Sequence, residues 1–472
     1  MTRRVAALAA AVVAAALAFP ASAPAHGIAQ RADLPLPEWL FGWGAAMVLI
    51  VSFVALAILW PRPQLQEPHR TRVGRVPGAV DVLCGAIGVA VFGLAVYSGL
   101  AGTQTPSANL TPTLVYVVFW VGLVVGSVLF GDVFAAFSPW RAVAHGVSWV
   151  SEYLGGRAPA PVAYPAWLGR WPAAVGIVAF AWLELAYEEG SDPSTLAVLA
   201  VAYALVQLAG MSFFGIDAWT RRADAFGVYF NLFARLSPWE RDADSVLYLR
   251  RPLSALTSLD PVPGTVAVLC AAIGTTSFDG FSQGTTWASL AEDIQQPFLD
   301  LGFSASTALE IAATIGLVGA VLIVAALFRL GIAGMHTVGE GHPTRELARD
   351  FAHTLAPIAC AYVLAHYFSL LVFQGQAVAF LASDPLGEGS DLLGTASATI
   401  DYNAISAQAV WYVQVGALVV GHVAGLILAH DRAIAIYRDS REATRSQYWM
   451  LLIMIGFTSL GLWLLSAINS NA

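Results

Sequence analysis

Charged residues are scarce in this sequence. Asp, Glu, Lys and Arg make up 11% of the 472 residues, whereas Ala, Val, Ile, Leu, Met, Phe, Trp, Tyr and Cys make up 58%. A typical soluble domain has about 25% charged residues, which keep its exterior in water. The composition therefore excludes a cytosolic enzyme, a disordered chain and a nucleic-acid-binding protein with a basic face. A polytopic membrane protein remains.

Lysine is absent, and cysteine is rare. Cys84, Cys270 and Cys360 each lie inside an apolar run. An odd number of cysteines in such surroundings predicts neither a disulfide framework nor a metal-ligand spacing. The sequence also lacks Gly-x-Ser-x-Gly, His-Glu-x-x-His and a glycine-rich phosphate loop, so no motif indicates nucleophilic chemistry.

The N-terminus is typical of a secretory signal. Arg3 and Arg4 precede a short apolar run, and small residues end at Ala25. We therefore predict a signal peptide over 1–25 and a single integral membrane domain over 26–472. Cleavage would make His26 the new N-terminus, where its amine and imidazole are candidate Cu(II) ligands. The alternative is an incidental exposed histidine.

Ten apolar runs follow the signal, each long enough to cross a bilayer, which takes roughly 20 residues. They predict an all-α fold, a polytopic membrane helix bundle with about ten transmembrane helices. The runs cover residues 39–60, 79–100, 112–131, 166–187, 194–214, 262–281, 306–330, 353–381, 407–430 and 447–468.

Arginines are unevenly distributed among the connecting segments. If the mature N-terminus lies outside and the ten spans alternate, 20 of the 23 basic residues, all of them arginine, fall inside. In the mature chain, Arg31 alone falls outside. Because positive charge concentrates on the cytoplasmic side of membrane proteins, this asymmetry predicts a multi-pass plasma-membrane protein with both mature ends extracytoplasmic.

A short motif occurs twice, each time at the inner end of a predicted span. It consists of Phe-Gly followed by Asp, and then of Ser-Pro-Trp. The motif predicts a parallel repeat of 80–141 and 166–241, with chance similarity as the alternative. Within the two copies, Val133–Phe137 and Phe226–Leu236 are predicted to be short interfacial helices on the cytoplasmic side.

Ionisable side chains inside the spans are few, and each is a functional candidate because a charge inside a bilayer is unfavourable. Glu184, Asp279 and Glu310 lie near the outer ends of their spans, with Gln374 and Gln408 at a similar depth. Together they predict the wall of an acidic vestibule that opens outward and attracts a cation or a small solute. The alternative is that each carboxylate reaches interfacial water alone.

His366 and His422 lie deeper, in the eighth and ninth predicted spans. Imidazole carries protons near neutral pH and binds Zn, Cu or haem iron. Both histidines are therefore candidates for an ion pathway or, with Asp279 and Glu310, for a divalent metal site. Haem is disfavoured by their difference in depth, and a histidine bonded to a neighbouring helix is the alternative. We expect His366 to face the interior, near Asp279, Glu310 or His422.

Five groups of residues carry a family resemblance: 26–35 with Pro37–Phe41, Phe119–Leu123 with Phe130–Asp132, Tyr229–Asn231, Ser237–Pro238, and Ser277–Phe281. They resemble a family of polytopic bacterial membrane proteins, some labelled fenitrothion hydrolase-like. The resemblance covers most of the mature chain and implies a bacterial plasma membrane and an organophosphate hydrolase. Such chemistry needs a metal-bound hydroxide, for which Asp279, Glu310 and His366 are the candidate set.

Three hypotheses follow. The first is a transporter or permease for a cation or small solute, favoured by ten spans and sparse intramembrane acids. The second is a membrane-embedded metal-dependent hydrolase, which requires Asp279, Glu310 and His366 to converge. The third is a non-catalytic subunit of a membrane complex. No feature predicts a nucleic-acid partner; the partners are the lipid bilayer and a small solute or cation.

Overall fold

The chain folds mainly into long apolar helices, as a computed structural model shows. All residues described below belong to one compact unit. The predicted signal peptide, His26 and Arg31 lie outside the described residues. The structure describes residues 38–67, 69–156, 160–338, 342–437 and 439–470, of which 38, 39, 41 and 463–470 are described by their backbone alone.

Helices follow the predicted spans closely. Apolar runs of this length favour helix in a bilayer because a helix satisfies every backbone hydrogen bond within itself. Short 3₁₀ turns cover Pro106–Ala108 and Ala352–Thr354, and Thr113–Gly122 forms a π-helix. The α-helices are α1 (Glu38–Leu59), α2 (Gly78–Ala101), α3 (Leu110–Pro112), α4 (Leu123–Phe130), α5 (Val133–Phe137), α6 (Pro139–Tyr153), α7 (Trp171–Leu185), α8 (Pro193–Phe214), α9 (Ile216–Arg222), α10 (Ala225–Ala234), α11 (Thr265–Ser282), α12 (Thr285–Asp300), α13 (Ala305–His336), α14 (Thr344–Asp350), α15 (Leu355–Gln374), α16 (Ala377–Ser383), α17 (Ala407–Ile436) and α18 (Ser440–Ser470).

Eight helical segments of the described chain are long and apolar enough to cross a membrane. The other two predicted spans coincide with α7 and α18. Helix α7 has 15 residues, about 22 Å at 1.5 Å per residue, which is shorter than a hydrocarbon core. A multi-pass membrane bundle is therefore supported, while the number ten stays a prediction. The eight segments are Gly42–Leu59, Gly78–Ala101, Leu110–Phe130, Pro193–Phe214, Thr265–Ser282, Ala305–His336, Ala352–Gln374 and Ala407–Ile436.

A three-stranded antiparallel sheet, which the sequence analysis did not anticipate, joins two distant segments. Strands β1 (Arg70–Arg75), β2 (Trp239–Arg241) and β3 (Val246–Arg250) pair in the order β1-β3-β2. Arg70 lies opposite Arg250 in the register. These strands are short and rich in arginine, so they lack the apolar alternation by which a strand is recognised in a sequence.

Helix α10 differs from the prediction that it lies in the inner interface. Eight of its ten residues are buried, and it contacts α4, α7 and α15 rather than presenting a polar face. The aromatic residues that suggested an interfacial helix therefore pack inside the protein. Helix α5 forms over Val133–Phe137 as predicted and packs against α2 and α10.

The two motif copies agree at one end and differ at the other. Gly131 and Gly215 each end a long helix with a positive φ, of 91° and 84°, a conformation that glycine adopts without strain. The Ser-Pro-Trp halves diverge, because Pro139 begins a helix whereas Trp239 begins a strand. Internal duplication stays a prediction that the element order supports only in part.

The arginine-bearing connections meet at one end of the bundle, hereafter the arginine-rich end. The sheet lies there, and Arg251 donates to the carbonyl of Gln64. Asp431 of α17, which is buried, holds the segment after α1 by accepting hydrogen bonds from Trp60 Nε1 and from the backbone N–H groups of Gln64 and Leu65. The acidic connections lie at the other end, hereafter the acidic end.

Candidate functional site

Helices α11 and α15 pack side by side, and each brings one ionisable side chain to their contact. Nε2 of His366 lies 2.8 Å from Oδ2 of Asp279. The two side chains retain 13% and 9% of their solvent exposure. Ionisable groups are unfavourable in an apolar interior unless they are paired. Each group thus supplies the partner that the other needs, and His366 faces the interior as expected.

Two further polar groups lie at the Asp279 carboxylate. Gln283 donates from Nε2 to Oδ1 at 3.3 Å, and the hydroxyl of Tyr367 lies on the same carboxylate. The Tyr367 ring also packs edge-on against the imidazole of His366, with centroids 4.6 Å apart. The carboxylate is therefore fixed from several directions, which limits its freedom to leave His366.

Glu184, near the end of α7, is the second acid of this interior cluster. Its carboxylate interacts electrostatically with Asp279. The hydroxyls of Tyr116, Tyr229 and Tyr367 lie within electrostatic reach of Glu184. Two carboxylates thus share the interior with one imidazole, and full ionisation of all three groups would leave one negative charge without a counter-ion.

An aromatic wall borders this cluster. The π-helix carries Trp120, whose ring stacks on Tyr229 of α10 at 4.6 Å and 9°. Phe180 of α7 packs against Trp120 at 4.7 Å. The indole N–H of Trp120 lies at the hydroxyl of Tyr367, whereas the buried Tyr229 hydroxyl has no hydrogen-bond partner among the described residues. Buried polar atoms are normally paired, so the Tyr229 hydroxyl is available to water or to a ligand.

Glu310 lies apart from the cluster, at the acidic end. Its carboxylate accepts the backbone N–H of Glu188 at 2.9 Å and so fixes the turn that follows α7. Trp182 of α7 donates to Thr314 of α13 at 2.7 Å, which joins the same two helices one turn deeper. The predicted vestibule acids therefore divide: Glu184 lies within electrostatic reach of Asp279, while Glu310 accepts a hydrogen bond from the turn after α7.

The remaining predicted residues do not converge on the pair. Gln374 is half-buried at the end of α15, and Gln408 is exposed and donates to Tyr412 at 3.4 Å. His422 is buried, with Nδ1 2.7 Å from the carbonyl of Leu418 in its own helix. Its Nε2 lacks a partner in the described chain. No hydrogen bond among those residues joins it to His366.

The donor set does not fit a metal centre. Across residues 38–470 as described, no group of three or more His, Cys, Asp or Glu side chains lies close enough together to hold a metal ion. Asp279 and His366 are near each other, but Glu310 is not with them. Catalytic zinc sites use three protein ligands. The convergence that a metal-dependent hydrolase requires is therefore not met, and His26 lies outside the described residues.

No pattern in the sequence pointed to the groups that surround the pair, which are Tyr367, Gln283, Trp120 and Tyr229. The available signal was weak. Tyr367 directly follows His366, and Trp120 and Tyr229 are amphipathic aromatics inside apolar runs. Trp120 lies in a π-helix, an element that the sequence does not reveal.

Comparison with known proteins gives no relative: no family model, no curated protein and no solved structure matches this chain. The resemblance to fenitrothion hydrolase-like proteins therefore gains no support from these comparisons.

Proposed function

We propose that this protein is a permease that carries a cation across the membrane in exchange for a proton, with Asp279, His366 and Glu184 as the exchange site. The observation that carries the proposal is the buried Asp279–His366 pair, with the Glu184 carboxylate within electrostatic reach of Asp279, inside a bundle of helices long enough to span a membrane. Ionisable residues at such positions typically mark ion or proton pathways.

The charge balance of the cluster suggests how it exchanges ions. With His366 protonated and both acids ionised, the site carries one uncompensated negative charge. A bound monovalent cation compensates that charge, and so does a proton on Glu184. Binding of one therefore displaces the other, and the site stays neutral through the cycle. Asp279 and His366 stay paired throughout the cycle, so only the occupancy of Glu184 and of the cation changes.

Access from the acidic end fits this scheme. Glu184 lies one residue before the end of α7, and the hydroxyl of Tyr116 donates to the carbonyl of Gly190 in the turn that follows. Glu188 and Glu310 meet at the same turn. Acidic groups at an entrance raise the local concentration of cations. We propose that this is the outward-facing vestibule.

We further propose that the protein lies in the bacterial plasma membrane, with both mature ends extracytoplasmic and the arginine-rich end in the cytoplasm. The arginine distribution supports this orientation. A phosphatase reporter, active only outside the cytoplasm, is expected to be active when fused after Ala472. A fluorescent protein that matures only in the cytoplasm should stay dark at the same position. The opposite pair of results contradicts the topology.

The transport proposal is tested in proteoliposomes that contain the purified chain, a pH-sensitive dye and an acidic lumen. External Na⁺ or K⁺ is added one at a time, and at least one is expected to alkalinise the lumen. Asp279→Asn and Glu184→Gln should abolish this response. The exposed acids of α12 give matched controls, Asp293→Asn and Glu292→Gln, which should retain it.

Two outcomes contradict the proposal. A normal response in Asp279→Asn would remove the cluster from the pathway. No response of the unaltered protein to any of these cations would favour a non-catalytic subunit of a membrane complex, because such a subunit has no flux of its own.

A further inference from the structure

A separate polar cavity of about 210 Å³ opens at the arginine-rich end, beside the start of α11. Its rim carries the exposed residues Ser258 and Asp260, and its wall carries Arg349, Asp350 and Arg432. None of these side chains belongs to the Asp279–His366 cluster. The cavity therefore calls for an explanation of its own.

Buried polar atoms without partners line this cavity. His353 has 3% of its surface exposed, and its Nε2 makes no hydrogen bond to the described residues. Arg432 donates from Nη2 to the carbonyl of Thr257, but its buried Nε–H likewise lacks an acceptor. An arginine N–H can only donate, so it needs an acceptor oxygen. Buried donors left unpaired are rare in folded proteins, and they indicate a ligand oxygen or water.

Helix geometry reinforces the preference for an anionic oxygen. Helix α11 begins at Thr265, which lines the cavity. Helix amino ends carry partial positive charge and favour phosphate-like groups. Arg170 adds a further cation nearby, since it donates to the hydroxyl of Thr265.

The carboxylates set a second requirement. Asp260 and Asp350 lie on the same cavity as Arg349 and Arg432, so a simple anion would face two negative groups. Burial raises the pKa of Asp350, although Arg432 opposes the shift. A ligand that carries a positive group as well as an anionic one would meet both pairs of side chains at once.

We propose that this cavity binds a phosphate ester that carries a primary ammonium group, that is, a phosphoethanolamine group. The phosphate oxygens accept from Arg432 and Arg349, and the ammonium lies at Asp350 and Asp260. The group has two sources, a free metabolite or the headgroup of a membrane lipid, because the cavity lies at the start of a helical segment long enough to cross a membrane. The proposal is independent of the exchange site.

The test measures equilibrium binding of radiolabelled phosphoethanolamine to the purified full-length protein in detergent. We expect saturable binding of one molecule per chain, with weaker competition from inorganic phosphate alone and from ethanolamine alone. Arg432→Gln and Asp350→Asn should each weaken binding about tenfold or more, as expected for the loss of one charged hydrogen bond. Arg345→Gln and Glu346→Gln, on the exposed face of α14, are matched controls and should bind normally.

Nanodiscs distinguish the two sources of the group. If a lipid headgroup is the ligand, discs of phosphatidylethanolamine should block the labelled probe, whereas discs of phosphatidylglycerol should not. A free metabolite predicts equal binding in both. Ser258→Trp fills the cavity from its exposed rim and should abolish binding even if Arg432→Gln fails to fold. Absence of saturable binding in detergent and in phosphatidylglycerol discs overturns the proposal, and so does unchanged binding in Ser258→Trp.

Discussion

The substitution His366→Gln separates a charge-carrying histidine from a structural one. Glutamine has an amide N–H that can donate to Asp279, as the imidazole does, but it cannot carry a proton charge. If His366 belongs to the exchange site, His366→Gln should leave the protein folded and should abolish cation-driven alkalinisation of proteoliposomes. His366→Ala should abolish the same response and also reduce the amount of folded protein.

The magnitudes follow from the geometry of the pair. The 2.8 Å contact is largely buried. Two charges about 4 Å apart attract by about 4 kcal/mol at an effective dielectric constant of 20, and the loss of solvation offsets part of this. Removing one partner of a buried pair typically lowers the free energy of unfolding by about 3–5 kcal/mol. We expect the lower value for His366→Ala, because Gln283 and Tyr367 still contact Asp279, and about 1 kcal/mol for His366→Gln.

The assay compares two quantities in each variant: flux per folded molecule, and folded yield from fluorescence-detected size-exclusion chromatography. His69→Gln, at an exposed histidine, is the control for introducing glutamine and should change neither quantity. Full flux in His366→Gln would refute the exchange role. A purely structural histidine would give reduced yield in His366→Ala but normal flux per folded molecule in both variants.

Three further predictions concern stability and are measured by thermal unfolding of the purified protein. Asp431→Ala should destabilise it by about 3 kcal/mol or more, because several buried donors lose their acceptor; an unchanged unfolding temperature would contradict this. Gly88→Ala should destabilise the protein by about 1–3 kcal/mol, because a Cβ at this position would lie 1.8 Å from the carbonyl oxygen of Phe137. Gly93→Ala in the same helix is the control. A Cβ at Gly93 would meet no atom within 4 Å, so this substitution should be neutral or slightly stabilising. Burial raises the pKa of Asp132 above its ordinary value of 3.8. Its contribution to stability is therefore present below that pH and is lost as the pH rises through the raised pKa. Asp132→Asn should flatten this decline, and an identical pH profile would refute the assignment.

The membrane fold could be predicted because it depends on the length of apolar runs. Helices α2 and α8 match their predicted spans within a residue or two, since 20 apolar residues have no other stable state in a bilayer. The uneven distribution of arginine likewise predicted which connections lie together, and the contact of Arg251 with Gln64 agrees with it. The length of an apolar run is a local property of the sequence, and the charge of a connecting segment is a sum over its residues. Neither depends on how the helices pack.

The site could be predicted only in part because it depends on how helices rotate about one another. Asp279 and His366 are 87 residues apart, and the apolar runs indicate the depth of each side chain but not the direction in which it points. Glu310 has the predicted depth yet bonds to a turn. Tyr229 was assigned to an interfacial helix because buried and interfacial aromatics have the same composition. Depth can be read from a sequence, but the direction in which a side chain points depends on packing.

The irregular elements of the bundle and its interior charges occur in the same place. Helix α7 is short for a span, α10 is a buried helix of ten residues, and the segment before α4 is a π-helix. These elements bring Glu184, Tyr229 and Trp120 to one cluster. Irregular backbone at membrane depth is tolerated where it lines a polar cavity, and π-helices often mark functional sites. A bundle that served only as a scaffold would gain stability from regular helices here. Their departure from regularity around the two interior acids therefore supports the proposed exchange of ions at this cluster.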